Sequence, residues 1–356
     1  MKLLFVAPSY YPRIGGVEYV AKSVAERLVR RKHGVTVLCG DSSLKDPREE
    51  WVNGVLVVRW PVWSPGDAYH IPRLRKRLEG WLHEASKGCD VAHFHSVHSV
   101  LTIYSLKTLK DYGIRRVLTP YYHGTGHTAF RRALWKGWRS YLKGIMPHAD
   151  AVHTVSKLEA ELIEKDFKAK ALSIENGVDE WILNLPWLPS GYAMYSGRIE
   201  AYKNVHRLAK IVRILNARFG MDLELRVFGS GPYLSPLKRR LEGMGLKCLI
   251  GPPQPFEDYI RKVSRASFFG LISEKESYPQ SINEANAIGV PVIVAEPWGL
   301  NFRGRRRTLI TKLNKSDEAI AQEIYAFLEE AVKQPKSEVP SWDRVVELYL
   351  KVLYGS

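Results

Sequence analysis

The sequence predicts an α/β protein, two doubly wound parallel-sheet domains facing across a cleft. Three observations lead there. The chain has 356 residues, too many for one ordinary domain and too few for three, so two domains of about 150 to 200 residues each are expected. Apolar, β-rich runs alternate with stretches of helical period in two successive series. Between the series, Asn184-Leu185-Pro186-Trp187-Leu188-Pro189-Ser190-Gly191 is proline-bounded and aperiodic, the composition of a linker. With 45% apolar and 25% charged residues, the chain is composed like a soluble globular protein. That excludes a disordered chain, a collagen-like fibre and a membrane-spanning bundle.

The elements follow in order. Met1 to Ala7 imitates the start of a signal peptide, but Pro8 follows at once, with neither a longer apolar region nor a small-residue cleavage site. It reads as the first strand of an intracellular, cytoplasmic protein. Val17, Val20, Val24 and Leu28 recur at helical spacing, Gly34 stands where that helix stops, and Val35 to Cys39 is the next strand, a βαβ beginning. Further strands are expected at Val55 to Arg59, Val91 to His95, Arg116 to Pro120, Ala151 to Val155 and Ala171 to Ile174. The second series runs Ala193 to Tyr195, Leu223 to Phe228, Cys248 to Ile250, Phe268 to Ile272 and Val290 to Val294, with a helix-sized stretch between each pair. The domains are therefore expected at residues 1–185 and 191–335. Open α/β sheets bind ligands outside the carboxyl ends of their strands, so motifs at those ends are the functional candidates.

The net charge is +16, from 53 basic and 37 acidic residues, and suits a polyanion or an anionic membrane surface. It has two foci: Arg59 to Pro147, with 15 basic against 5 acidic residues, and the cluster Arg303, Arg305, Arg306 and Arg307. Heat adaptation explains part of such an excess equally well. Cys39, Cys89 and Cys248 are odd in number, lie far apart and form no CxxC, so neither a disulfide framework nor a zinc ribbon is supported.

Four motifs sit after strands. Pro8-Ser9-Tyr10-Tyr11-Pro12-Arg13-Ile14-Gly15-Gly16 leads into a helix opened by Val17-Glu18; paired glycines there let backbone amides approach a phosphate or sugar oxygen, although a bare strand-to-helix turn fits as well. Its spacing is not GxGxxG. Ser196-Gly197-Arg198-Ile199-Glu200-Ala201-Tyr202-Lys203-Asn204 puts two cations five residues apart on a loop entering a helix, an arrangement that suits a diphosphate or two solvated surface charges. Val227-Phe228-Gly229-Ser230-Gly231-Pro232 is a second glycine turn. In Ser273-Glu274-Lys275-Glu276-Ser277-Tyr278-Pro279-Gln280-Ser281-Ile282-Asn283-Glu284, a helix starting near Pro279 places Glu276 at its mouth and Glu284 two turns along, where the carboxylates can take sugar hydroxyls.

Together these pieces resemble the retaining GT-B glycosyltransferases of glycosyltransferase family 4, which includes sucrose and glycogen synthase-like enzymes and bacterial mannosyl- and glucosyltransferases. The resemblance spans nearly the whole chain. It rests on Gly15-Gly16, Asn176-Gly177-Val178-Asp179, Gly197-Arg198 with Lys203, Gly229-Ser230-Gly231-Pro232 and the Glu-x7-Glu pair Glu276 and Glu284. Ser341-Trp342-Asp343-Arg344 with Val345, Leu348, Tyr349 and Val352 looks like the family's final helix, over residues 341–354, which returns to complete the N-terminal domain.

The resemblance implies two Rossmann-like domains and transfer of a hexose or N-acetylhexosamine, with retained configuration, from a nucleotide-diphosphate sugar to a hydroxyl acceptor. No metal or other cofactor is required. It implies that Arg198 and Lys203 neutralise the diphosphate, that Glu284 receives the ribose hydroxyls, and that Glu276 lies at the transferred sugar. Gly231 and the loop Ser277-Tyr278-Pro279-Gln280 complete the donor side. His123, in Thr119-Pro120-Tyr121-Tyr122-His123-Gly124, matches the histidine that meets the sugar from the N-terminal domain, and Gly16 brings its amide near phosphate or acceptor. Gly15, Glu18 and His95 are expected on the acceptor side. Two segments depart from the family pattern: Pro279 removes an amide from the donor loop, and Ala295-Glu296-Pro297-Trp298-Gly299-Leu300-Asn301-Phe302-Arg303 replaces a Gly-rich segment.

His93, His95 and His98 invite a zinc reading, but the Asp-His that completes a metallo-hydrolase motif is missing. On a helical wheel over Arg131–Lys143, Leu134, Trp138, Tyr141, Leu142 and Ile145 fall opposite Arg132, Lys136, Arg139 and Lys143. Two readings stand: a surface helix with its apolar side on the core, or a helix on anionic lipid with Trp135 and Trp138 at headgroup level, suiting a lipid-linked acceptor. No nucleic-acid-binding motif is present. An epimerase of the same shape and a noncatalytic nucleotide-sugar-binding subunit are the competing functional classes.

Overall fold

The computed structural model describes residues 1–13, 15–124 and 129–355. Ile14 of the first glycine loop and the side chains of Arg131 and Arg132 lie outside the described residues. The chain forms two compact units, one of Met1–Asn176 with Trp342–Ser356 and one of Gly177–Ser341.

The first unit contains β1 (Lys2–Ala7), α1 (Gly16–Arg30), β2 (Gly34–Asp41), β3 (Arg48–Val52), β4 (Val55–Trp63), β5 (Ile71–Pro72), α2 (Arg75–Ser86), β6 (Val91–His95), α3 (Val100–Thr108), β7 (Arg115–Thr119), α4 (Ala129–Ile145), β8 (Ala151–Thr154), α5 (Lys157–Phe167) and β9 (Ala171–Ser173). Its sheet runs β3-β4-β2-β1-β6-β7-β8-β9, with β5 on β4. The apolar run of β1 shows why the sheet is covered on both sides. Leu3, Phe5 and Ala7 join a core with Val20, Val24 and Leu28 of α1, whereas Leu4 and Val6 join Leu78, Leu101 and Leu142 on the other face.

The second unit contains α6 (Glu180–Leu183), β10 (Tyr192–Ser196), α7 (Val205–Phe219), β11 (Glu224–Phe228), α8 (Leu234–Leu241), β12 (Cys248–Gly251), α9 (Phe256–Val263), β13 (Phe268–Leu271), α10 (Gln280–Ile288), β14 (Val292–Ala295), β15 (Thr308–Thr311) and α11 (Asp317–Ala331). Its sheet order is β12-β11-β10-β13-β14-β15, all parallel.

Three features differ from the expected fold. The first sheet is not purely parallel, because β3 and β5 pair antiparallel with β4. Strand β3 reads Arg-Glu-Glu-Trp-Val, a charged edge strand with no continuous apolar run to announce it. Strand β15 follows the arginine cluster and adds an edge to the second sheet. The boundary also lies earlier than the proline-bounded segment. Leu188 and Ser190 donate backbone bonds to Ser264 and Arg265, both at 2.9 Å, and the Trp187 indole donates to Ala266 O at 2.7 Å, which fastens that segment to the second unit.

The helix Trp342–Leu348 and the π-helical turn Tyr349–Tyr354 pack on α1, with Trp342, Val345, Val346 and Tyr349 buried. Arg27 Nε donates to Asp343 Oδ2 at 3.2 Å, and Arg115 Nε to Leu353 O at 2.5 Å. Trp342 is fully buried, so Trp342→Ala is expected to destabilise the first unit by about 3–5 kcal/mol. Denaturant unfolding followed by circular dichroism checks this.

Candidate active site

In the second unit, the order of crossovers reverses between β10 and β13, so the loops after these strands diverge and leave a binding position between them. Backbone contacts fix the first loop. Gly197 N donates to Phe228 O at 3.0 Å, and Ile199 N to Ser230 O at 2.8 Å. A Cβ on Gly229 would stand 1.9 Å from Gly197 O, and one on Gly231 2.3 Å from Ile199 O, with φ of 158° and 155°. Only glycine allows this approach. Glu274 N donates to Tyr202 O at 2.9 Å and Asn204 Nδ2 to Ile272 O at 3.2 Å, joining the loop after β10 to the loop after β13.

At that junction Lys203 Nζ donates to Glu276, and each side chain is only 12% exposed. The second expected cation differs. Arg198 is 77% exposed and pairs with Glu200 at 2.6 Å, an interaction in water that holds it weakly. Two turns into the motif, Glu284 is 3% exposed and accepts from Tyr259 OH at 2.9 Å. Burial pushes its carboxyl up to about 7, with the charge of Asp179 adding and the Tyr259 bond opposing.

The donor loop is braced from one side. Trp298 Nε1 donates to Ser273 O at 2.6 Å and Asn301 Nδ2 to Ser277 O at 3.4 Å. Arg305 donates to Tyr278 OH at 2.8 Å and to Asn283 Oδ1 at 2.6 Å, and its guanidinium lies over the Phe302 ring. The side chain of Tyr278, expected at the donor, is therefore turned into this network, its hydroxyl donating to Asn283. The Gln280 side chain is likewise committed, donating to Gly177 O at 2.6 Å. Pro279 stands before α10 with φ of −70°, already near the value that proline requires. Arg307 donates to Gly289 O and Gln334 O, so two members of the arginine cluster serve the fold of this unit. Tyr259 lies in none of the sequence motifs, and Trp298 and Arg305 figure there only as parts of a departing segment and of a charge cluster.

In the first unit the reversal falls between β1 and β6. Among the described residues, none comes within 4 Å of where a Cβ on Gly16 would stand as it opens α1, whereas the carboxylate of Glu18 covers Gly15 and accepts from Ser9 Oγ. His95, expected to border an acceptor pocket, is instead fully buried. Its ring stacks on His93 at 4.2 Å and packs against Phe5, and burial drives its pKa down to about 3. Two residues apart on β6, His93 and His95 share one face of the sheet, and both are buried there, so a histidine at the strand's end does not reach the surface. Both nitrogens of His93 are engaged, with Tyr354 OH and Thr119 Oγ1, each at 2.7 Å. His123, after β7, is half-buried and stacks on His98 at 4.6 Å, which in turn stacks on Trp135 at 4.7 Å.

Helix α4 departs from the lipid reading. Trp135 is buried and donates to Gly124 O at 3.1 Å, and Trp138 donates to Val97 O at 2.8 Å. Leu134 and Tyr141, placed on the apolar side by the wheel, are 50% and 43% exposed. The indole bonds rotate the helix so that Trp135, Trp138, Leu142 and Ile145 face the protein, and no tryptophan is left at headgroup level. Among the described residues, no helix is long and apolar enough to cross a membrane.

Two Rossmann-like sheets, the second with a cation and a carboxylate at its switch point and a glycine loop beside it, have the GT-B architecture found among nucleotide-sugar transferases. Family comparison agrees: residues 14–181 match the model described as Glycosyltransferase Family 4 and residues 188–337 the model described as Glycosyl transferases group 1. The chain belongs to glycosyltransferase family 4 and is a glycosyltransferase that moves a sugar from a nucleotide sugar, which sets aside the epimerase and noncatalytic readings. It is 24% identical over 324 residues to a GDP-mannose-dependent alpha-mannosyltransferase of Mycolicibacterium smegmatis, covering 84% of this chain and 80% of that protein. Its fold is similar to that of sucrose-phosphate synthase from Thermosynechococcus elongatus, with a TM-score of 0.73, 20% identity and full coverage of both chains. A glycosyltransferase from Rickettsia africae gives a TM-score of 0.71 at 17% identity, over 99% of this chain and 97% of that one.

The Glu284 carboxyl supplies a test of this geometry. Its folded pKa lies above the ordinary 4.5, so the stability it contributes is present below about pH 4.5 and is lost as pH rises through about 7. Glu284→Gln keeps the shape without the charge, and its stability relative to wild type is expected to increase by about 3 kcal/mol between pH 4.5 and 8. Paired urea titrations at those two pH values measure the difference.

Proposed function

We propose that the protein is a retaining glycosyltransferase that moves a hexose or N-acetylhexosamine from a nucleoside-diphosphate sugar to a hydroxyl acceptor without a metal. The observation that carries this is the Lys203–Glu276 pair at the switch point of the second sheet. In the donor complex Lys203 exchanges Glu276 for the diphosphate and, with Arg198, neutralises the charge that grows on the leaving group; α10 begins beside them with the positive end of its dipole. Glu276, released from the lysine, turns to the hydroxyls of the transferred sugar. Glu284 takes the ribose hydroxyls: a carboxylate this dry, with burial opposing its charge, is stabilised by the two donors of a diol. His123 meets the sugar from the first unit. The leaving diphosphate receives the acceptor's proton, so the acceptor oxygen attacks from the face the diphosphate leaves, and configuration is retained.

For the acceptor, a lipid-linked or membrane-associated glycan is supported by the excess of cations from Arg59 to Pro147. Part of it lines a groove of about 560 Å³ with Arg75, Lys107 and Lys110 beside Tyr104 and Tyr141. On this reading the enzyme is cytoplasmic and peripheral on an anionic membrane. The test is release of nucleoside diphosphate from a panel of GDP-, UDP- and ADP-sugars, GDP-mannose first, with and without lipid extract. Release that depends on acceptor is expected, and its absence across the panel would overturn the proposal. Lys203→Ala is expected to weaken binding of the matching nucleoside diphosphate about 10- to 100-fold, and His123→Ala to lower kcat with that affinity kept. Calorimetry and initial rates read the two effects.

A further inference from the structure

Glu159 has no part in the reaction described above, yet it is a carboxylate only 2% exposed, on the first turn of α5. Ser156 caps that helix by accepting from Glu159 N at 3.2 Å, which fixes where the Glu159 side chain starts. Both carboxylate oxygens are then spent on backbone. Oε1 accepts the Tyr122 N–H at 2.6 Å and Oε2 the Val155 N–H at 3.1 Å.

The segment held in this way is unusual. Tyr121 has φ of 52°, a left-handed conformation that costs a bulky residue energy and persists only where its surroundings enforce it. The other groups of the turn are tied as well: Val97 N donates to Pro120 O at 3.0 Å, His98 Nε2 lies 3.2 Å from Tyr121 O, and Trp135 Nε1 and Arg139 donate to Gly124 O. His123 is the one residue between these anchors whose ring stands at the half-buried edge of the turn. Burial pushes the Glu159 carboxyl up to about 7 and the backbone bonds oppose that shift; as a carboxylate it accepts on both oxygens, which an amide cannot do.

We propose that Glu159 is a positioning residue: its carboxylate holds the left-handed Tyr121–Tyr122 turn and thereby aims His123 at the transferred sugar. The proposal rests on the reading of His123 as the sugar-contacting histidine. Gln in place of Glu offers one carbonyl oxygen and one NH2 group, so an amide donor is set against a backbone donor and at least one of the bonds is lost.

The experiment compares Glu159→Gln with Ile163→Val, a buried substitution on the same helix that lowers stability without touching the carboxylate. Hydrogen exchange of the peptide spanning residues 119–124 is read in the ligand-free protein. Exchange about 10-fold or more faster in Glu159→Gln than in Ile163→Val is expected; equal exchange in the two variants overturns the proposal. With the nucleotide sugar that gives release in the panel above, kcat is expected to fall about 10-fold or more while the nucleoside diphosphate binds as in wild type. Faster exchange with kcat unchanged keeps the brace and rejects His123 as the sugar contact. Weakened nucleotide binding overturns the positioning role, since a merely global loss of structure moves both quantities.

Discussion

The site in the second unit depends on one ion pair. Lys203 and Glu276 are largely withdrawn from water, and removing two charges from solvent costs about as much as their attraction returns. Such a pair adds little to stability, and apolar residues would fill the space as well. It holds two charges ready where the loops after β10 and β13 part. The surrounding backbone serves that placement: Glu274 is bonded to Tyr202 and Asn204 to Ile272, and the glycines of Gly229-Ser230-Gly231 bring the neighbouring loop into contact with residues 197–199. A diphosphate arriving there finds a cation whose partner Glu276 is exchangeable, because a glutamate on a loop can turn to sugar hydroxyls.

Rigidity behind the pair comes from residues outside the recognised motifs. The segment from Trp298 to Arg305 fastens the loop at Ser273, Ser277 and Tyr278. That bracing accounts for a loop that tolerates Pro279: an amide is given up where side chains from a neighbouring segment already fix the backbone. It also changes the meaning of the +16 charge. Arg305 and Arg307 are spent inside the second unit, on Tyr278 and Asn283 and on Gly289 and Gln334, whereas Arg75, Lys107 and Lys110 stand around an open groove in the first.

Much of this was legible in the sequence because parallel strands buried on both faces leave continuous apolar runs, and Leu3 to Ala7, Val91 to His95 and Phe268 to Ile272 could be read directly. Edge strands leave none, which is why Arg48–Val52 and Thr308–Thr311 were passed over. Candidates marked by local spacing, such as Glu276 and Glu284, were legible; residues joined to them only by tertiary contact were not. Tyr259 reaches Glu284 from another helix, and nothing in its neighbours marks it. His95 misled because position at a strand's end does not report whether Phe5 and His93 cover it. Ser156-x-x-Glu159 carried a readable signal, the spacing of a helix cap, but its second use on Tyr122 appears only in three dimensions.

The central claim is that Lys203 leaves Glu276 for the donor diphosphate, and the affinity of Glu276→Gln for GDP and UDP tests it most directly. Neutralising the glutamate frees the lysine without removing it, so the matching nucleoside diphosphate is expected to bind more tightly than to wild type, by about 10-fold. An affinity equal to or weaker than wild type would contradict the exchange and place the diphosphate elsewhere.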